Sequence, residues 1–347
     1  MPRQAASARS SLVIQTSFLG DTVLTTPLLV ELATRGPVDV VTTPSGAELL
    51  ANHPAIRTLY SFDKRGTDAG LWGLIRMARR LRTGAGAPEA RTAYLAQGSL
   101  RSATLALLAG CGERSGFATS QGRVLYTAAV PFREDRHHAE RLWRLAFPRD
   151  PSVEPPPSGL HPTLYPSSTD RAQAERLLLP LKGAPFVALA PGSVWATKRW
   201  PYFPDLAARL SERWPLVVVG GPADSPLARD IIQRAGQERV VDATGSATLL
   251  ASAELIARAM ALVTNDSLPQ HLASAMGTRT ITLFGPTVPS FGFGPLAPAS
   301  QSLGVEGLPC RPCHHHGPPT CPLGHWRCMT ELAVEDILAA VVAERAS

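Results

Sequence analysis

No stretch of this 347-residue chain approaches the roughly 18 to 20 consecutive apolar residues that span a bilayer, so no transmembrane anchor is expected. The opening residues carry Arg3 and Arg9, but only Leu12 to Ile14 follow before polar residues return, too short a core for a secretory signal. A cytoplasmic location is the resulting expectation. Cysteine is sparse, with five residues of which four crowd between Cys310 and Cys328, and that pattern excludes a secreted disulfide scaffold. Charged residues make up 18%, too few for a disordered chain, and the 44% of apolar residues suffices for the cores of two ordinary domains. Aromatics are only 6%, and neither stacking positions nor a basic recognition helix accompany the cysteine tail, so nucleic acid is not an expected partner.

What charge there is lies unevenly. Up to Tyr165 there are 19 Lys and Arg against 13 Asp and Glu, while the remainder is balanced at 15 and 15. The basic first half points to an anionic partner such as a phosphorylated glycolipid or a phospholipid surface. Its sharpest segment is Leu71 to Arg82, where Leu71, Leu74, Ile75, Ala78 and Leu81 share one helical face flanked by Arg76, Arg79, Arg80 and Arg82. Such a helix either lies in a membrane interface or packs as an ordinary surface helix on a sheet.

Seven prolines, at 148, 151, 155, 156, 157, 162 and 166, can continue neither a helix nor a central strand, and they mark a linker. Before it, strands at Leu12 to Gln15, Val38 to Thr42, Arg57 to Ser61 and Thr92 to Ala96 alternate with helical stretches including Leu100 to Ala109 and Glu140 to Phe147. After it, short apolar runs at Phe186 to Ala190, Leu216 to Val219, Val240 to Asp242, Ala261 to Thr264 and Thr280 to Phe284 alternate with helices at Phe203 to Trp214, Pro226 to Ala235, Ser252 to Ala259 and Gln270 to Ala275. Two successive βαβα arrays predict an α/β protein of two Rossmann-like parallel-sheet domains facing across a cleft, residues 1–165 and 166–330, with a terminal helical segment at 331–347.

Ligands of open α/β sheets sit beyond the carboxyl ends of strands, and the residues there carry the chemistry. After the first strand the chain breaks at Gly20 and delivers the carboxylate Asp21 ahead of a helix that is either kinked at Pro27 or begins there, leaving Asp21 on a loop or as a helix cap. In the second array, Pro191-Gly192-Ser193 leads to Thr197 and Lys198, Gly220-Gly221 leads to Asp224, and Asn265-Asp266-Ser267 precedes His271, with Gly285-Pro286-Thr287 after the next strand. Each loop alone is ordinary turn chemistry. Together, glycines that admit close backbone approach, hydroxyls and a cation at the same ends of adjacent strands suit a nucleotide phosphate.

Ser17-Phe18-Leu19-Gly20-Asp21 with Pro27, Pro191-Gly192-Ser193 with Lys198-Arg199-Trp200-Pro201, and Thr264-Asn265-Asp266-Ser267 with His271 and Phe284-Gly285-Pro286-Thr287 together resemble glycosyltransferase family 9, the ADP-heptose:lipopolysaccharide heptosyltransferases, with the heptosyltransferase II branch most similar. The resemblance runs in order from about Leu12 to about Val342 and implies a GT-B fold, an N-terminal acceptor domain, a C-terminal nucleotide-sugar domain and a terminal helix packing back across them. It implies inverting transfer from ADP-L-glycero-D-manno-heptose to Kdo2-lipid A or heptosyl-Kdo2-lipid A, at the cytoplasmic face of the inner membrane and in peripheral contact with its anionic surface. Asp21 would be the base and Lys198 the diphosphate cation. Gly20, Gly192, Ser193, Thr197, Asp224, Asn265, Asp266, Ser267, His271, Gly285, Pro286 and Thr287 would complete the donor site, with Asp224 toward ribose. Lys64, Arg65, Arg101 and Arg123 would meet acceptor phosphates and carboxylates. Where the family commonly has Gly-Leu after the Asp-Ser pair this chain has Leu268-Pro269, so another nucleotide sugar or acceptor, or a non-catalytic nucleotide-sugar-binding protein, stays open.

No cofactor is expected for catalysis. Cys310, Cys313, Cys321 and Cys328, interspersed with His314, His315, His316 and His325, could hold a structural zinc or iron–sulfur centre, or two disulfides, which fit poorly with a reducing compartment.

Overall fold

The computed structural model describes residues 10–84, 90–150, 152–156 and 159–343. Arg3, Arg9, Pro151 and Pro157 of the sequence reading lie outside the described residues. The chain divides into two compact units, Met1–Pro162 and Thr163–Ser347. The described residues between Pro148 and Pro166 contain neither helix nor strand, as expected of prolines that cannot donate to a ladder.

The first unit runs β1 (Ser11–Gln15), α1 (Leu19–Leu24), α2 (Thr26–Ala33), β2 (Val38–Thr42), α3 (Pro44–Leu50), β3 (Thr58–Ser61), α4 (Gly70–Thr83), β4 (Thr92–Leu95), α5 (Leu100–Leu108), β5 (Glu113–Phe117), β6 (Ala128–Val130) and α6 (His138–Trp143). Its six strands are all parallel in the order β3-β2-β1-β4-β5-β6. The strand β1 is buried at all five positions, as a parallel strand covered on both faces must be. Leu12 and Ile14 pack with Val41 and Tyr60 against Leu74, Met77, Ala78 and Leu81 of α4. That settles α4 as a helix packed on the sheet. Leu71, expected on its apolar face, is instead 64% exposed beside Trp72 at 78%.

The second unit runs α7 (Ser168–Leu178), β7 (Val187–Ala190), α8 (Phe203–Ser211), β8 (Leu216–Val218), α9 (Ser225–Ala235), β9 (Val240–Asp242), α10 (Leu249–Ala257), β10 (Ala261–Asn265), α11 (Leu268–Met276), β11 (Thr280–Leu283), β12 (Gln301–Leu303), α12 (Arg327–Thr330) and α13 (Val334–Val342). The parallel order β12-β11-β10-β7-β8-β9 repeats the first unit's topology. The helix α13, expected to pack back across the domains, joins the core of its own unit through Ile337, Ala340 and Val341, and Arg279 donates to the carbonyls of Ala340 and Val341.

In both units the chain winds outward to one side of its first strand and then returns to the other side. Strand order therefore reverses between β1 and β4, and again between β7 and β10, which is where such sheets open a crevice. A side-chain hydrogen bond ties the two strand ends together at each reversal. Thr16 Oγ1 donates to Gln97 Oε1 at 2.5 Å, and Asn265 Nδ2 donates to the Pro191 carbonyl at 2.8 Å.

Candidate active site

At the first reversal, β1 ends at Gln15, as the sequence predicts, and the chain turns through Thr16 to Phe18 into α1, which already includes Gly20. The expected loop or cap position for Asp21 is corrected: Asp21 is the third residue of α1, Phe18 holds the cap position, and the break before Pro27 falls at Thr25, between α1 and α2. Helical side chains lean toward their own N-terminus, so the Asp21 carboxylate points back over the turn. Ser17 Oγ lies 2.6 Å from Asp21 Oδ2 and 2.7 Å from Gln15 Oε1, while Gln15 Nε2 donates to Thr25 Oγ1 at 3.1 Å and Thr25 Oγ1 donates to the Asp21 carbonyl at 2.7 Å. The other carboxylate oxygen, Oδ1, faces His138 Nε2 at 3.6 Å, with the Asp21 side chain 19% exposed. Burial pushes the His138 imidazole below its ordinary pKa, Asp21 opposes that and Arg141 adds to it.

The four cations assigned to an acceptor divide into two kinds. Lys64 Nζ donates to the Thr16 carbonyl at 2.5 Å, and burial, then Arg65 and Arg101, push its pKa down. Arg101 donates to the Asp68 and Gly70 carbonyls at 2.9 and 3.3 Å and lies over the Phe62 ring at 5.1 Å, so it braces the loop before α4. By contrast, Arg65 and Arg123 are exposed.

At the second reversal one carboxylate gathers three donors. Asp266 Oδ2 accepts from Lys198 Nζ at 2.6 Å and from Thr287 Oγ1 at 2.7 Å, and Oδ1 accepts from Gln270 Nε2 at 2.9 Å. The Lys198 and Asp266 side chains are each 10% exposed. Asn265 holds the neighbouring loop by donating to Pro191 and accepting from Trp200 N at 3.1 Å, and Ser267 Oγ donates to the Gly192 carbonyl at 3.3 Å. Asp224 Oδ2 accepts from Gly221 N at 2.9 Å and packs against Gly192, where a Cβ would stand 2.3 Å from Asp224 Oδ1. Glycine is required at 192 for that approach. Thus Gly192, Asn265, Asp266, Ser267, Lys198, Asp224 and Thr287 do converge. His271 is buried on α11 with its ring 6.5 Å from that of Phe293, and Gly285 lies over Met329. Ser193 receives the amide of Trp195 and Thr197 donates to the Pro318 carbonyl at 2.5 Å.

The cysteine segment is tied to the same loops. Gly317 packs on the Lys198 side chain, Cys313 N donates to the Pro286 carbonyl at 3.1 Å and Arg311 Nε to the Gly285 carbonyl at 2.8 Å. Cys310, Cys313, Cys321 and Cys328 are free thiols lining, with His325, one cavity of about 40 Å³. Burial and then the other thiols push Cys328 up to about 11, while at Cys321 backbone N–H groups of Trp326, Leu323, His325 and Gly324 outweigh burial and lower the pKa. Among the described residues no group of three or more His, Cys, Asp or Glu is arranged to hold a metal ion.

Sequence reasoning missed Ser17, His138 and Gln270. Gln270 and Ser17 lay inside segments already singled out, whereas nothing local to His138 distinguishes it from a core histidine.

Two doubly wound parallel sheets, each with its strand order reversing beside its own polar loops, define an α/β protein of two Rossmann-like units. The family model for glycosyltransferase family 9 (heptosyltransferase) matches residues 76–326, and the chain belongs to that family. It is 31% identical to lipopolysaccharide heptosyltransferase 1 of Pseudomonas aeruginosa over 317 residues, 87% of this chain and 85% of that protein. Among solved structures, a family 9 glycosyl transferase from Veillonella parvula superposes with a TM-score of 0.82 at 22% identity, covering 97% of both chains. ADP-heptose LPS heptosyltransferase II of E. coli superposes at 0.77 and 21% identity, covering 96% of this chain and 97% of that one. The fold is GT-B and the protein is a glycosyltransferase.

Gly192→Ala is expected to push Asp224 off the Gly221 amide and to destabilise the protein by about 1–3 kcal/mol in urea melts. Adding Asp224→Ala removes the clash, so the double variant should lose less than the sum of the two single losses. Strict additivity would refute the contact.

Proposed function

We propose that this protein transfers a heptosyl residue from ADP-L-glycero-D-manno-heptose, with inversion, to Kdo2-lipid A or heptosyl-Kdo2-lipid A during lipopolysaccharide core synthesis. The observation that carries this reading is the Asp21 carboxylate, held by Ser17 beyond the end of β1 and still partly exposed. In the transfer, Asp21 accepts the proton of the acceptor hydroxyl, whose oxygen forms the new glycosidic bond as the bond to the diphosphate breaks and its electrons leave with ADP. Lys198 neutralises the departing charge, turning from Asp266 toward the phosphates or bridging both, and Asp224 is placed for the ribose. Relatives named as heptosyltransferase 1 and as heptosyltransferase II support heptosyl transfer without deciding which heptose is added.

Asp21→Asn should lower kcat by about 10²–10⁴-fold while leaving ADP affinity and melting temperature close to wild type, read with ADP-heptose and lipid A acceptors that carry either no heptose or one. Wild-type turnover in the Asp21→Asn variant would remove the base assignment, whereas ADP binding without transfer by the wild-type protein would favour a binding protein. A different donor has one supporting observation: Pro269 sits in the first turn of α11, removing a backbone N–H that a Gly-Leu sequence would offer to the ligand.

The acceptor reading is supported by the exposed residues Arg65 and Arg123 more than by Lys64 and Arg101, whose terminal nitrogens already donate to backbone carbonyls. No helix among the described residues is long and apolar enough to cross a membrane. Peripheral contact with the cytoplasmic face of the inner membrane is supported by the exposed Leu71 and Trp72 at the start of the arginine-rich α4. Co-sedimentation with vesicles containing anionic lipid should fall several-fold in Trp72→Ser and with added salt. Binding unchanged by both would exclude this surface.

Catalysis is assigned no cofactor. The thiol set around the small cavity has the chemistry of a structural zinc or iron–sulfur centre, although the side chains as placed do not assemble a ligand group. If a centre forms, elemental analysis of cytosolically produced protein should find zinc or iron in simple proportion to chain, and Cys313→Ser should lower the melting temperature before it changes kcat. Metal-free protein with an unaltered melt would end that reading.

A further inference from the structure

The helix α6 packs against α1 and α2, and the His137 side chain caps it by accepting from Ala139 N at 3.2 Å. This fixes His138, the first residue of α6, with only 12% of its side chain exposed and Nε2 3.6 Å from Asp21 Oδ1. At that separation the two groups are neighbours but short of a hydrogen bond, and a shift of roughly half an ångström would complete one. The opposite oxygen of Asp21 accepts from the Ser17 hydroxyl, and Ser17 is anchored by its backbone N–H, which donates to Gln15 Oε1 at 3.2 Å, and through Gln15 by Thr25. Each carboxylate oxygen thus has its own neighbour, one hydroxyl and one imidazole, while the carboxylate edge stays 19% exposed.

We propose that His138 is a positioning residue for the catalytic base: its neutral imidazole presents Nε2–H to Asp21 Oδ1 and, opposite Ser17, fixes the plane of the carboxylate so that a lone pair faces the acceptor hydroxyl. This inference rests on the base role of Asp21 given above. Orientation of this kind lowers the barrier because a freely rotating carboxylate presents the reactive lone pair only part of the time. His138 neither gains nor loses a proton in the transfer; the proton of the acceptor hydroxyl ends on Asp21. The charged and titratable groups facing the imidazole are Asp21 on α1 and Arg141 on its own helix. Burial and Arg141 lower the His138 pKa against the opposing effect of Asp21, which favours the neutral imidazole at pH 7, and because the two groups interact a proton gained by one alters the other.

The test has a kinetic and a spectroscopic arm. His138→Phe should lower kcat about tenfold or more with the KM for the sugar donor changed less than about twofold, whereas His138→Gln, which keeps an uncharged N–H near the place of Nε2, should recover most of that loss. Because the Gln variant cannot share the proton, its acid limb of kcat should lie at lower pH than that of wild type. A purely structural histidine would lower the melting temperature in both variants and leave the acid limb unmoved. In the spectroscopic arm, long-range ¹H–¹⁵N correlation on the substrate-free protein should show His138 as the Nε2–H tautomer at pH 7, titrating at still lower pH once Asp21→Asn removes the carboxylate that raises its pKa. That arm needs no sugar, so it stands even if the donor or acceptor proposed above is wrong. A His138 that titrates identically in wild type and Asp21→Asn, or a well-folded His138→Phe with wild-type kcat, overturns the inference.

Discussion

The second unit depends on a single carboxylate receiving three donors from three parts of the chain. Asp266, one residue beyond β10, takes Lys198 from the loop after β7, Gln270 from α11 and Thr287 from the loop after β11. A carboxylate and an ammonium that are each nine-tenths covered would be costly alone, and the added hydroxyl and amide satisfy what the ion pair leaves open. The arrangement sets the direction of the lysine, whose ammonium is paired with the carboxylate and largely withdrawn from water. Asn265 and Trp200 hold the backbone around this cluster, so its geometry follows from the sheet.

The first unit answers a different problem with the same topology. Its carboxylate has a hydroxyl and an imidazole as neighbours, and among the described residues no lysine or arginine forms an ion pair with it. Lys64 is turned to the Thr16 carbonyl, and Arg101 to the loop before α4. Both cations thereby shape the polar end of the sheet.

Central parallel strands were the easiest elements to read, because burial on both faces turns them into short apolar runs; Val38–Thr42 matches the sequence boundaries and Val187–Ala190 differs from them by one residue. The helix Gly70–Thr83 was legible for the complementary reason, its apolar spacing. Strand β5 was not, since Glu113-Arg-Ser-Gly-Phe117 is polar and contains Gly116, which makes room for the Tyr126 ring. Gln301–Leu303 is a short, partly exposed edge strand and gives little local signal. At the site, residues following strand ends were predictable from position alone, including Asp21, Lys198 and Asp266. What binds them was not. Lys198 and Asp266 are 68 residues apart, and the His138 neighbour of Asp21 comes from the last helix of the unit; such pairings are products of topology, invisible to local periodicity. Placing Asp21 beyond Gly20 on a loop failed because glycine, though a common breaker, costs a helix only about 1 kcal/mol and packing around α1 overrides it.

Thr197 and Lys198 are roofed by residues far along the chain, the Pro318 carbonyl and the Gly317 backbone. The segment between Cys313 and Cys321 is therefore part of the mould in which the lysine is cast. A change in this stretch that withdrew the Pro318 carbonyl would leave the Thr197 hydroxyl without its acceptor and loosen the wall against which Lys198 is packed.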